Sequence, residues 1–238
     1  WPRMMLTIEL KKLRRTGVMP ALLGAAALAS AAAAVNMAAR GEIYLAQDGA
    51  ALDILLSANW QLMSMLNVLA LLCAACLMYN SEHANAALEK MEVLPLRPGA
   101  VFTGKAAALA LALALMLAAE ASALAVCAAA WFGSPPDAAA LCGLWAFELA
   151  VALPTLLTAL IVASLCSSVW VSLGIGLTLV FTLSVFPQDN ALVRILPFAS
   201  PYQTPGGDAL LFAGVCVLES AVLFILGPAL GRAGRWFA

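Results

Sequence analysis

Charge is what this sequence has least of. Only 11% of its 238 residues are Asp, Glu, Lys or Arg, while 64% are apolar. Soluble domains run at about 25% charged and about 45–50% apolar. No soluble core could hide this much apolar surface, so a lipid bilayer is the solvent for most of the chain. Histidine is scarcer still: there is one, His83, which excludes a histidine-based metal site within a single chain. The net charge is −1 and the basic residues form no groove-sized patch, so nucleic acid is excluded as a partner. No Ser or Asp in the apolar runs is paired with a base in a way that suggests an intramembrane enzyme. Gly99-Ala-Val-Phe-Thr-Gly104-Lys105-Ala106 approaches a phosphate-binding loop, but Ala106 stands where a magnesium-binding hydroxyl belongs. Nor does a buried strand precede it. No internal repeat and no soluble domain is visible.

What the chain does have is long apolar runs. A helix needs about 20 apolar residues to cross roughly 30 Å of hydrocarbon. Six runs qualify, at 18–39, 58–79, 106–132, 138–166, 169–186 and 209–230. The expected fold class is therefore an all-α membrane protein with six transmembrane helices in one domain, 1–238. Pro154 removes a backbone donor inside the fourth run and predicts a kink. Ser167 and Ser168 alone separate the fourth and fifth runs, which predicts a tight helical hairpin. Trp1 to Arg3 carry no weight here, and the first run is too long for a signal peptide.

Lys and Arg placement sets the orientation. With the N-terminus inside, the inner segments hold Arg3, Lys11, Lys12, Arg14, Arg15, Lys90, Arg97, Lys105, Arg232 and Arg235, and the outer ones only Arg40 and Arg194. Both termini and the 80–105 segment are expected in the cytoplasm. Residues 4–16 read as an amphipathic interfacial helix, with Leu6, Leu10 and Leu13 on one side and its basic residues near anionic lipid headgroups. A plain topology-setting basic cluster reads the same residues equally well. The Pro- and Gly-rich stretch 187–208 is expected outside, with a short interfacial helix near 190–198.

The segment between the second and third runs is the one long polar, helix-competent stretch. Glu82, Glu89 and Glu92 alternate there with Leu88, Met91 and Val93, and Leu94-Pro95 ends the helix. Glu82, Asn85 and Leu88, then Leu94-Pro95 and finally Lys105, resemble the pattern of type-2 ABC exporter permeases. The opening Glu9-Leu-Lys-Lys-Leu-Arg-Arg15 is also similar to the start of permeases from the lantibiotic-protection (peptide-antibiotic immunity) branch. The resemblance implies a type-2 ABC exporter fold in which 80–105 carries the coupling helix, with Glu82, Asn85, Leu88, Glu89, Leu94 and Pro95 in contact with an ATPase. It also implies a dimer of ATPase chains, which hold the ATP and magnesium, and a second permease chain, identical or related. No cofactor is expected on this chain. The setting is a bacterial cell membrane, with membrane lipid around the helices and a lantibiotic, another peptide antibiotic or an amphipathic molecule as substrate.

Three carboxylates, Glu120, Glu148 and Glu219, lie within separate runs, where a charge at the bilayer centre costs at least about 2.5–3.5 kcal/mol. At 1.5 Å per residue each is roughly 15–18 Å from the outer end of its helix. They read either as one polar region recognising a cationic peptide or taking up protons, or as neutral helix-to-helix glue. Ser57, Gln61, Ser64 and Asn67 recur at helical spacing along the second run and line either a substrate path or a helix contact. Cys73-Ala-Ala-Cys76 has metal-ligand spacing, but with no further ligands nearby these thiols read as small packing residues. The expected function is transport without bond chemistry by this chain. The alternative is a membrane scaffold or sensor binding a partner through the same inner segment.

Overall fold

The computed structural model describes residues 2–83, 99–166, 168–185 and 191–233. All regular structure among them is helical: α1 (Pro2–Arg15), α2 (Val18–Leu45), α3 (Ala51–His83), α4 (Ala100–Phe132), α5 (Ala138–Leu165), α6 (Val169–Val185), the single turn α7 (Ala191–Arg194), a 3-10 turn at Ser200–Tyr202, and α8 (Ala209–Ala233). Five of these helices, α2, α3, α4, α5 and α8, are long and apolar enough to cross a membrane. The fifth expected span, 169–186, is shorter than that: α6 has 17 residues, about 26 Å. In contrast, α3 and α4 have 33 residues each, about 50 Å, so both project past the hydrocarbon thickness.

α3 is the hub, packing against α2, α4, α5, α6 and the 3-10 turn. α4 lies between α2, α3 and α5 and carries α1 along its first turns, and α8 leans mainly on α5. The apolar interior falls into two clusters stacked along the bundle. One, at the α1 end, joins Leu13 and Leu22 to Leu71, Leu109, Met116 and Leu160. The other joins Met37, Leu55, Trp60, Leu124, Phe147 and Phe212. Ser64, Asn67, Glu120 and Glu148, all buried, fall where the two clusters meet.

The break in helical backbone is not at Pro154. α5 runs through that proline as one helix, while α2 departs from helical angles at Arg40 (φ −132°, ψ 23°). Around Pro154, residues of the expected outer segment supply packing instead. Phe198, Ala199, Ser200, Pro201, Tyr202 and Gln203 are all buried. Ser200 Oγ donates to the Val151 carbonyl at 2.8 Å, and Thr155 Oγ1 donates to the Pro197 carbonyl. Within the segment 187–208, residues 198–203 therefore pack into the bundle. A polar, proline-broken backbone can enter a helical bundle where helix side chains and carbonyls satisfy its polar groups. The short helix expected over 190–198 is the single turn α7.

Gly99 opens α4 in the left-handed region (φ 81°). A Cβ built there would come within 2.6 Å of Pro228 Cβ, so this corner accepts only glycine.

Candidate functional site

Two polar constellations stand out from the apolar bundle. The first ties together α1, α3 and α4. Lys105 on α4 donates to Glu82 Oε1 of α3 at 2.8 Å, to Glu9 Oε2 of α1 at 3.2 Å and to the Met78 carbonyl at 3.0 Å. Lys12 donates to Glu9 Oε1 at 2.9 Å and to Glu82 Oε1 at 3.0 Å. Lys105 also lies over the Tyr79 ring, 5.2 Å from its centre. Two cations and two anions make a neutral quartet, which is what lets Glu9, Glu82 and Lys105 be buried. Lys12 is the solvent-facing member, its side chain 36% exposed. Burial alone would lower its pKa, but hydrogen bonds to Glu9 and Glu82 and the charge of both carboxylates outweigh that and hold it above the ordinary lysine value.

Glu82 and Lys105, which precede and follow 84–98 in the chain, are held to each other and to α1 by the quartet. Of the expected coupling residues, Glu82 belongs to this network, while Asn85, Leu88, Glu89, Leu94 and Pro95 lie outside the described residues. The stretch that approached a phosphate-binding loop is the first turns of α4, and its lysine is committed to carboxylates.

The second constellation is the polar layer between the two apolar clusters. Asn67 Nδ2 donates to Glu120 Oε2 at 2.9 Å. Glu148 lines a cavity with Asn67, the residue that holds Glu120. The cavity, of about 20 Å³, is lined by Trp60, Ser64, Asn67, Glu148 and Pro201 among others. Glu219 does not join them. α8 buries Phe212, Cys216 and Ser220, one face at helical spacing, and this leaves Glu219 half-buried at the edge of that face. Of the three carboxylates expected at one depth, Glu120 and Glu148 are buried and Glu219 is not. The polar stripe of α3 also divides, with Ser57 and Gln61 exposed and Ser64 and Asn67 turned inward.

Sequence reasoning missed the pairing of Glu9 and Lys12 with α3 and α4, and the place of Trp60 at the cavity. It also missed a network between α2 and α3, in which Asn36 Nδ2 donates to Asn59 Oδ1 at 2.9 Å and Tyr44 donates to Asn36 Oδ1 at 3.3 Å. The i,i+3 spacing of Glu9 and Lys12 was the one local signal available. Cys73 faces outward while Cys76 lies 2.8 Å from the Ser172 hydroxyl, so the two thiols do not share a site. No group of three or more His, Cys, Asp or Glu that could hold a metal ion occurs among the described residues.

Compared with known proteins, residues 5–185 match the family model described as ABC-2 family transporter protein. Neither the curated proteins nor the solved structures give a match.

Proposed function

The chain belongs to the ABC-2 transporter family, and from that premise we propose that residues 84–98 dock on a separate ABC ATPase and transmit its motion through the ion quartet. The chain is the membrane component of such a transporter, a multi-pass permease subunit. The observation that carries the coupling role is the quartet itself. A segment whose flanking residues Glu82 and Lys105 are held to each other and to α1 moves with α1, α3 and α4 as a rigid body when pushed from below. Glu82 then acts as the anchor of the coupling segment, and Asn85, Leu88, Glu89, Leu94 and Pro95 supply its contact surface.

The rest of the arrangement follows from charge and length. The termini and 84–98 face the cytoplasm, because ten of twelve basic residues lie on that side. α1 lies along the inner interface. α6 serves as a sixth, short span, and the buried turn at 198–203 fills the bundle beyond its end. A second permease chain completes the pathway, and two ATPase chains bind ATP and magnesium. The transported molecule is an amphipathic one, a lantibiotic or related peptide antibiotic, expelled from a bacterial membrane. Of the pathway candidates, Gln61 is on the open surface, so a substrate between two permeases meets Gln61. Ser64, Asn67, Glu120 and Glu148 lie behind it, inside one chain.

Co-purification tests the reading. The full chain, expressed with its ATPase, should retain that ATPase through purification and lose it when 84–98 is replaced by a Gly/Ser linker of equal length. Equal retention by the linker variant, with the variant still inserted, would overturn it.

A further inference from the structure

We propose that the cavity between α3, α5 and the turn at Ser200–Tyr202 is a proton-binding site, in which one buried water and one exchangeable proton are held by Glu148, Asn67 and Trp60. It goes beyond the coupling role and does not depend on it. Three buried polar atoms of the lining have no partner among the described residues: Trp60 Nε1, Asn67 Oδ1 and Glu148 Oε2. Trp60 is 4% exposed, and Asn67 and Glu148 are 8% exposed. A buried polar group left unpaired costs on the order of 1–3 kcal/mol, so three around one cavity call for an occupant. A volume of about 20 Å³ holds one water, which needs roughly 10–15 Å³ and 2–4 polar partners.

The chemistry of the lining decides what comes with the water. Glu148 lines the cavity with Asn67, and Glu120 is bonded to that same Asn67. No lysine or arginine among the described residues is ion-paired with either one; the ion pairs all belong to the quartet. Two buried like charges without a counter-ion are not tolerable, so the pair must take up a positive charge. A metal ion is disfavoured, because the indole N–H of Trp60 can only donate and presents its positive end to the cavity. A proton meets no such objection. It comes from bulk water, forms an O–H bond on a Glu148 oxygen and leaves by the reverse step. The Asn67 amide donates to Glu120 Oε2, and Glu120 Oε1, buried and unpartnered too, does not line the cavity, so the proton held at the cavity is the one on Glu148. The water then accepts from Trp60 and donates to Asn67 Oδ1.

Other titratable groups on the packed elements do not supply the missing charge. Cys73, Cys76, Cys127 and Cys216 are thiols and Tyr202 is a phenol, uncharged at neutral pH. Glu219 on α8 could only add negative charge. Arg40, Glu42 and Asp53 belong to the far turns of α2 and α3, and Arg194 stacks on Phe212, 5.1 Å from its ring centre.

Infrared difference spectroscopy on the purified full chain tests the site. The wild type at neutral pH should show a protonated-carboxyl stretch that shifts in D2O. The band should vanish in Glu148→Gln, persist at a shifted position in Glu120→Gln, and shift in Trp60→Phe, which keeps the ring but removes the N–H. It should be unchanged when choline chloride is replaced by sodium chloride. A wild type with no such band would overturn the proposal without any variant. So would a band that survives Glu148→Gln, one that disappears in Glu120→Gln, or one that sodium abolishes.

Discussion

Replacing Lys105 with methionine removes the charge at the centre of the quartet while keeping an apolar side chain of similar length. Lys105 is 1% exposed, and the carboxylates it holds, on Glu9 and Glu82, are each 2% exposed as side chains. Without it, two buried anions share Lys12 alone, and the Met78 carbonyl loses its side-chain donor. Breaking a buried ion pair by removing one partner costs on the order of 3–5 kcal/mol, because the other charge stays buried and uncompensated. Lys12→Met removes a cation from the same carboxylates, but from a side chain that is 36% exposed, where water substitutes for what is lost and the cost is about 1 kcal/mol or less. Lys105→Met should therefore be several-fold more destabilising than Lys12→Met, and Glu82→Gln introduced with it should recover part of the loss. Equilibrium unfolding of the four proteins in mixed micelles measures this difference. Equal stability of the two single variants would refute the claim that burial makes Lys105 the keystone.

Three further outcomes follow from particular contacts. Gly176→Ala should loosen α6 from α3, since a Cβ there would fall 2.2 Å from Leu72 Cδ1; Leu72→Ala should rescue it, as thermal stability of the double variant would show. Lys12 has a raised pKa in the folded chain, so its contribution is complete below the unfolded lysine value of about 10.4 and is lost only as pH rises through the higher folded value. The stability difference between wild type and Lys12→Met should accordingly be unaffected by Lys12 titration at neutral pH and shrink only in strong alkali. In a cysteine-free background, Thr204→Cys should react with a membrane-impermeant thiol reagent from outside the cell, while Gln203→Cys, 7% exposed, should react far more slowly. Equal rates at the two positions would contradict the buried turn.

Five of the apolar runs were legible because membrane length is a strong constraint that each of them satisfies locally. Helix ends were less so. α3 continues from Ala51 to His83, beyond the apolar run on both sides, because helix-competent residues need not stop where the lipid does. The turn at 198–203 was read as external from its prolines. That the Ser200 hydroxyl would donate to the Val151 carbonyl, and Thr155 to the Pro197 carbonyl, is a tertiary fact with no local trace. The quartet was invisible for the same reason: Lys12 and Glu82 are 70 residues apart, and Lys105 and Glu9 are 96 apart. Depth along a helix can be counted from the sequence, which is how Glu120, Glu148 and Glu219 come to be grouped. Which way each faces depends on the face its helix buries, and that separated Glu219 from the other two.

We propose 84–98 as the surface on which an ATPase docks. A photo-crosslinking residue at Leu88, and separately at Thr204, in the full chain co-expressed with its ATPase would test it most directly. The account predicts a crosslinked product at position 88, identified by mass spectrometry as an ABC ATPase, and none at position 204. No ATPase product at 88, or one at 204, would contradict it.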